Sequence, residues 1–276
     1  IIGLSVVALV TSFPEIFIGI SAVINDNEEL ALGTIVGSNI SNIALIFGVS
    51  CIGYTTAISP SSRRNLIALS MSVIIAIYAL IDLKIGKIDS ALLLSVFVYF
   101  IYVMSSQVDK ENAEIITSSD VSTFKLIAML LVGSISLLIG SNYAVIHGEI
   151  IALYLGIPKL IVGLTVLAIG SSLPELAVTI SALVKNKNQM VLGNIIGSNV
   201  LNIVIVMPIL GLFSNQSFDE LVLNRDVFVM TLLSIIFILI ALSFSYKNIS
   251  VNIYRSIGIF LVSGYIYYIG VLSGLL

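Results

Sequence analysis

The sequence predicts an all-α, polytopic membrane protein arranged as an inverted-topology repeat of two five-helix halves. Three observations predict it. Of 276 residues, 58% are hydrophobic and 10% charged, with a mean hydropathy of +1.16, against roughly 25% charged in an average soluble domain. Apolar stretches of about twenty residues, the length an α-helix needs to cross a hydrocarbon core roughly 30 Å thick, recur along the whole chain. The chain also repeats itself at a constant offset that lays Glu15 on Glu175. The same composition excludes other classes. One Cys gives no disulfide framework, a net charge of -3 gives no basic surface for nucleic acid, and the apolar content excludes disorder.

Reading apolar runs between charged or turn-rich breaks places nine spans. The first, 1–24, stops at the polar run 25–29. The second, 30–58, stops at 59–64 with Pro60, Arg63 and Arg64, and the third, 65–81, at 82–87 with Asp82, Lys84 and Gly86. The fourth, 88–105, leads into the longest break, 107–123, whose Asp109, Lys110, Glu111, Glu114 and Asp120 read as a solvated linker. The fifth span is 124–146, before a break at 147–156. The sixth, 157–184, is followed by 185–188; the seventh, 189–213, by 214–226; the eighth, 227–246, by 247–252; the ninth is 253–274. This divides the chain into a first half, 1–106, a linker, 107–123, and a second half, 124–276.

Alternating sides decide the orientation. Lys84, Lys87, Lys159 and Arg225 fall on one side; Arg63, Arg64, Lys110, Lys125, Lys185, Lys187, Lys247 and Arg255 fall on the other. The positive-inside rule puts the second group in the cytoplasm. The expected protein is integral to the plasma membrane, with the 107–123 loop cytoplasmic and the C-terminus outside.

Residues 1–43 match 161–203 without a gap at 19 of 43 positions. The pairs include Gly3/Gly163, Ala8/Ala168, Ser12/Ser172, Pro14/Pro174, Glu15/Glu175, Gly37/Gly197, Ser38/Ser198, Asn39/Asn199 and Asn42/Asn202. Apolar composition alone aligns Leu with Ile; it does not align Glu with Glu and Asn with Asn. Five crossings separate the two copies, and an odd number inverts the second relative to the first. Inverted repeats are a recurring plan of secondary transporters, with the substrate site near the midplane. A further span, within 124–160, precedes the second copy and nothing precedes the first. Symmetry therefore predicts a ten-span protein whose first helix is missing from this chain.

Two acidic residues lie inside apolar spans, each directly after a proline: Thr11-Ser12-Phe13-Pro14-Glu15 and Ser171-Ser172-Leu173-Pro174-Glu175. An ionised side chain at the centre of a span costs at least about 2.5 kcal/mol, so the pair calls for a compensating partner, and a cation is the natural one. Each proline lacks the N–H that would bond one turn back, which frees carbonyls near Val10/Thr11 and Gly170/Ser171. Carbonyls, hydroxyls and a carboxylate within five residues make a half-site of hard oxygens, suited to Ca2+ or Na+. The alternative for the two acids is burial in protonated form as hydrogen-bond donors. Ser38 with Asn42, and Ser198 with Asn202, are four apart and share a helix face that can add oxygens. Gly33, Gly37, Gly193 and Gly197 form small-xxx-small pairs for close helix approach. Asn39 and Asn199 read equally well as ligands or as helix bridges; Ser5, Ser21, Ser41 and Ser70 read as bridges. His147 reads as a surface residue, Cys51 as packing, and Tyr254, Tyr265, Tyr267 and Tyr268 as belt or packing residues.

These motifs, Ala8-x-x-Thr11-Ser12-x-Pro14-Glu15 and Ala168-x-Gly170-Ser171-Ser172-Leu173-Pro174-Glu175, each followed by Gly-Ser-Asn-x-x-Asn, resemble the two α-repeats of the calcium/cation antiporter superfamily. Among its members, the prokaryotic sodium/calcium exchangers are the most similar. The resemblance covers nearly the whole chain. It implies ion sites between the first, second, sixth and seventh spans seen here. It also implies Glu15 and Glu175 as principal Ca2+ ligands, with carbonyls at Thr11 and Ser171. For Na+ it implies the side chains of Thr11, Ser12, Ser38, Ser171, Ser172 and Ser198, the carbonyls of Ala8 and Ala168, and the Glu carboxylates. Asn42 and Asn202 would complete the centre. In the family this implies about three Na+ exchanged for one Ca2+, as two paired outer helices slide across a rigid core. Three residues depart from the pattern: Val10 where Gly is usual, Ser171 where Thr is usual, and Asn202 where related exchangers often carry Asp.

The expected function is secondary active exchange of Na+ for Ca2+, the two ions competing for a site on Glu15 and Glu175. The alternatives are a proton-coupled Ca2+/cation antiporter and, less favoured by the repeat, a cation channel. No His pair and no nucleophile with a base lies in the spans, so no enzyme is expected. The partners expected are the lipid bilayer and the transported cations, with Ca2+ and Na+ as cargo, no organic cofactor, and a monomer sufficient for transport.

Overall fold

A computed structural model describes residues 8–53, 62–108, 123–185, 188–214, 216–243 and 250–274. Among them lie nine long helical stretches and no strand. They are α1 (Ala8–Ile24), α2 (Glu28–Gly53), α3 (Arg63–Leu80), α4 (Lys87–Val108), α5 (Thr123–Leu155), α6 (Lys159–Val184), α7 (Met190–Phe213), α8 (Val222–Ser243) and α9 (Val251–Leu272). Seven are long and apolar enough to cross a membrane. Gly3, Ser5 and most of the 107–123 loop lie outside the described residues, as do Lys187 and Lys247.

Two boundaries differ from those expected of the sequence. The break expected at 147–156 is helical up to Leu155; α5 ends where Gly156 takes φ +66°, two residues before Pro158. A left-handed glycine followed by proline stops a helix more decisively than the polar pair His147 and Glu149 does. At the other place, α8 begins at Val222, within the expected break 214–226. Its charges are satisfied locally. Arg225 donates from Nε and Nη2 to the Asp226 carboxylate (2.8 and 3.1 Å), and the Tyr268 hydroxyl donates to the same group (2.9 Å). With its charge paired to Arg225 and a further hydrogen bond from α9, fully buried Asp226 sits inside a helix.

α1, α2, α6 and α7 make the centre, with α2 packed along α6, α1 against α2 and α7, and α6 against α7. Around them the two halves exchange partners. The end of α2 packs on α9, and the end of α7 packs on α4. Each half closes its last helix over the other half's central helix, as an inverted repeat related by a two-fold requires. Glycine sets the closest approach. A Cβ at Gly33 would meet the Leu160 carbonyl and the Gly163 Cα of α6, and one at Gly37 would meet Leu164 and Ala168. Gly197 stands in the same relation to Ala8 of α1. Small residues thus bring the helices together without a side chain between them.

Outside the membrane-crossing core, Lys159 at the start of α6 bonds Glu149 of α5 (2.6 Å) and the Asn27 Oδ1 of the α1–α2 connection (2.6 Å). Asn27 donates in turn to Glu149 (2.9 Å), closing a three-way clasp. The His147 ring is exposed and stacks on Tyr143, and Cys51 is buried among apolar neighbours, both as expected. Tyr254, Tyr265 and Tyr268 are packing residues, whereas Tyr267 is exposed.

Candidate ion-binding site

The proline motifs break their helices in the same way. Ser12 has φ -81°, ψ 2° and Ser172 has φ -83°, ψ 2°, and in each the next residues restart the helix with proline in its first turn. Hydrogen bonding continues through the break: Ser12 N–H reaches Ala8 O and Ser172 N–H reaches Ala168 O, both at 3.1 Å. The carbonyls of Val10 and Gly170 lose the donor that proline cannot supply. The restart turns Glu15 and Glu175 inward, each 1% exposed.

Two lateral pockets follow, each built from both halves. Beside Glu15 stand the hydroxyls of Ser38 and Ser171, 3.2 Å from each other. Beside Glu175 stand those of Ser198 and Thr11, 3.5 Å apart. Ser198 donates to Glu175 Oε1 (3.2 Å). The carbonyls of Ala8 and Ala168 lie at the back of the pockets, accepting from Thr11 (3.2 Å) and Ser171 (3.4 Å).

At the centre, Asn42 Nδ2 donates to Asn199 Oδ1 (3.0 Å), and Ser41 donates to Ser172 Oγ (3.1 Å). Asn42 and Asn202 each open a π-helical segment, Asn42–Phe47 and Asn202–Val206. Such insertions recur at functional sites, because the widened turn redirects side chains. Asn39 bonds the Ile35 carbonyl of its own helix (2.8 Å).

Among the described residues, most of the buried side-chain polar atoms without a hydrogen-bond partner gather here. They include both carboxylate oxygens of Glu15, Oε2 of Glu175, Ser12 Oγ, Asn42 Oδ1 and both side-chain polar atoms of Asn202. Buried oxygens left bare are costly, and an oxygen-lined space with two carboxylates matches a hard cation. Among the described residues no group of three or more His, Cys, Asp or Glu is present, so two acids and neutral oxygens make up the whole donor set. A groove of about 310 Å³ runs between α5, α1 and α6, walled by Gly140 and Ala144 on one side and Pro14, Gly170 and Ser171 on the other.

All twelve residues expected from the sequence to line the site are among those described, and Glu15, Glu175, Thr11, Ser38, Ser171 and Ser198 stand together in the two pockets. Ser41, read as a bridge between helices, does bridge them, donating to Ser172 Oγ of α6. One residue was not anticipated: Asn194 donates to the Glu175 carbonyl (3.2 Å) and to Thr179 Oγ1 (3.3 Å). Its position is not repeated in the first half, where Thr34 stands, so the match between the halves gives no sign of it.

Fold and site together define a membrane transporter of the inverted-repeat class, not an enzyme. A sequence model described as sodium/calcium exchanger protein matches residues 1–106 and 125–274. The inner membrane protein YrbG of Escherichia coli is 34% identical, over 99% of this chain and 86% of its own. The sodium/calcium exchanger MaX1 of Methanosarcina acetivorans is 28% identical, over 87% of this chain and 80% of its own. A solved structure of the sodium-calcium exchanger NCX_Mj, soaked with Na+ and Sr2+, superposes with a TM-score of 0.69 at 31% identity, covering 98% of this chain and 85% of that one. The chain belongs to the sodium/calcium exchanger family, within the calcium/cation antiporter superfamily.

Proposed function

We propose that this protein is a secondary active antiporter that exchanges Na+ for Ca2+ by alternating access, the two ions competing for one midplane site. The observation that carries the reading is the gathering of bare, buried oxygens around Glu15 and Glu175. Two carboxylates cancel the charge of one Ca2+, and the hydroxyls of Ser12, Ser38, Ser171, Ser172, Ser198 and Thr11 supply neutral oxygens at the six to eight places such an ion takes. The same groups, taken as two lateral sets with the Ala8 and Ala168 carbonyls, suit Na+. A cation in either pocket would displace the Thr11 or Ser171 hydroxyl from the alanine carbonyl behind it. Asn42 and Asn202 complete the centre with amide oxygens.

Competition gives the coupling: the carboxylates cannot be neutralised by both ions at once, so each ion must leave for the other to be carried. The groove beside α5 offers a path to the site whose width changes if α5 shifts across α1 and α6. The transporter works in the plasma membrane with the 107–123 linker in the cytoplasm and the two halves on either side of it. This orientation rests on the distribution of Lys and Arg.

The test is uptake of radiolabelled Ca2+ by proteoliposomes carrying the full-length protein, loaded with Na+, diluted into Na+-free buffer, with pH clamped by ionophore. Uptake requires internal Na+ and vanishes in Glu15→Gln and in Glu175→Gln, both of which still fold. Uptake that ignores Na+ and follows an imposed pH gradient would replace this reading by proton coupling; flux independent of any counter-ion would replace it by a channel.

A further inference from the structure

The lateral pockets use matched residues, yet their hydrogen bonding is unequal, and the inequality arises at positions where the repeat fails. Asn194, one turn before Ser198 on α7, is 1% exposed. Its Nδ2 donates to the main-chain carbonyl of Glu175 and to Thr179 Oγ1. A carbonyl only accepts, so the amide must present its nitrogen there. In the first half the matched positions hold Thr34 and Gly19. Thr34 bonds the Leu30 carbonyl of its own helix (2.8 Å), and Gly19 has no side chain to tie. The turn carrying Glu175 is therefore fastened to α7, and the turn carrying Glu15 has no equivalent fastening to α2.

The serines divide the same way. Ser172 Oγ receives the Ser41 hydroxyl, while Leu201 stands at the place matched to Ser41 and Ser12 Oγ is bare. Of the hydroxyls beside the carboxylates, Ser198 is 3.2 Å from Glu175 Oε1 and donates to it, whereas Ser38 and Ser171 beside Glu15 bond each other.

We propose that Asn194 is a positioning residue that makes Glu175 the fixed carboxylate of the pair and leaves Glu15 the one that adjusts to the ion bound. The inference deepens the exchange reading and rests on it. A site that must hold ions of different charge and coordination number needs one wall that keeps its register and one that follows the ion. The break in the repeat at Asn194 and Ser41 supplies that difference within two otherwise matched halves.

Shortening each acid by one methylene separates the two roles. Glu15→Asp can follow the ion because its turn is free, whereas Glu175→Asp is held back from it. The readout is the Ca2+ concentration that gives half-maximal thermal stabilisation of the purified full-length protein, which requires no transport. Glu175→Asp raises it about tenfold more than Glu15→Asp does, a coupling within the range seen for residues in one network. Introducing Asn194→Thr, the residue of the matched position, brings the two penalties to within about twofold of each other. If Asn194→Thr does not fold, Asn194→Leu removes the donor at similar volume and gives the same convergence. Equal penalties in the parent protein, or a difference that survives removal of the Asn194 donor, overturn the proposal while leaving exchange intact. Absence of any Ca2+ stabilisation in the parent removes the exchange reading itself.

Discussion

A buried carboxylate whose oxygens lack partners stores a cost that a cation relieves, and that gives Glu15→Gln a sign opposite to the one loss of a ligand suggests. Without divalent ions, the neutral amide is cheaper to bury, so Glu15→Gln unfolds at a higher temperature than the parent protein in chelator. With Ca2+ at 100 times its dissociation constant the parent gains about 2.7 kcal/mol, and the order reverses. Melting curves with chelator and with saturating Ca2+ check both arms; a variant less stable in chelator would mean Glu15 is satisfied by the protein alone. Asn202 is a neutral counterpart at the centre. It is fully buried with neither polar atom partnered, and an amide carries an oxygen without carrying charge.

At the scale of elements, the clasp of Asn27, Glu149 and Lys159 joins the α1–α2 connection, the end of α5 and the start of α6. The Lys159 ammonium, then the Asn27 amide, hold the Glu149 carboxyl below the usual carboxylate range. A carboxyl with a depressed folded pKa stabilises above its unfolded pKa, about 4.3, and loses that contribution as pH falls through the folded value. Both side chains are about a third exposed, so the pair is worth at most about 1 kcal/mol. Glu149→Gln therefore lowers the melting temperature slightly near neutral pH. The difference closes on acidification, which a melting series across acid pH reads directly. The same clasp explains why α5 runs on to Leu155, since Glu149 finds its partners without leaving the helix.

For the whole molecule, the exchange of partners between halves ties the site to the two-fold. Glu15 shares its pocket with Ser171 of the second half and Glu175 shares its own with Thr11 of the first, so neither half holds a complete pocket. An exchanger built on such a site is reversible, because the ion gradients alone set the direction. Inverting the Na+ gradient in the proteoliposomes is expected to turn Ca2+ uptake into Na+-dependent Ca2+ efflux. Efflux unaffected by external Na+ would show that the two fluxes are not coupled.

The class of fold and most of the site were legible in the sequence because both rest on local chemistry. Twenty apolar residues cross a bilayer whatever they pack against, proline removes a donor wherever it stands, and Glu matched to Glu between two copies marks symmetry-related positions. The end of α5 and the start of α8 were not legible, because Glu149 is paired with Lys159 of the next helix and Asp226, besides its neighbour Arg225, takes a hydrogen bond from Tyr268 of α9. The tie made by Asn194 was hidden for a related reason. Matching one half to the other reveals what they share, whereas Asn194 acts where the halves differ, across a contact with α6 that only the packed helices create. The sequence by itself determined the helices, the inverted repeat and the two acids. The tertiary structure decided which hydroxyl serves which acid and which oxygens stay bare, since a hydrogen bond between helices depends on their crossing, set here by Gly33 against Gly163.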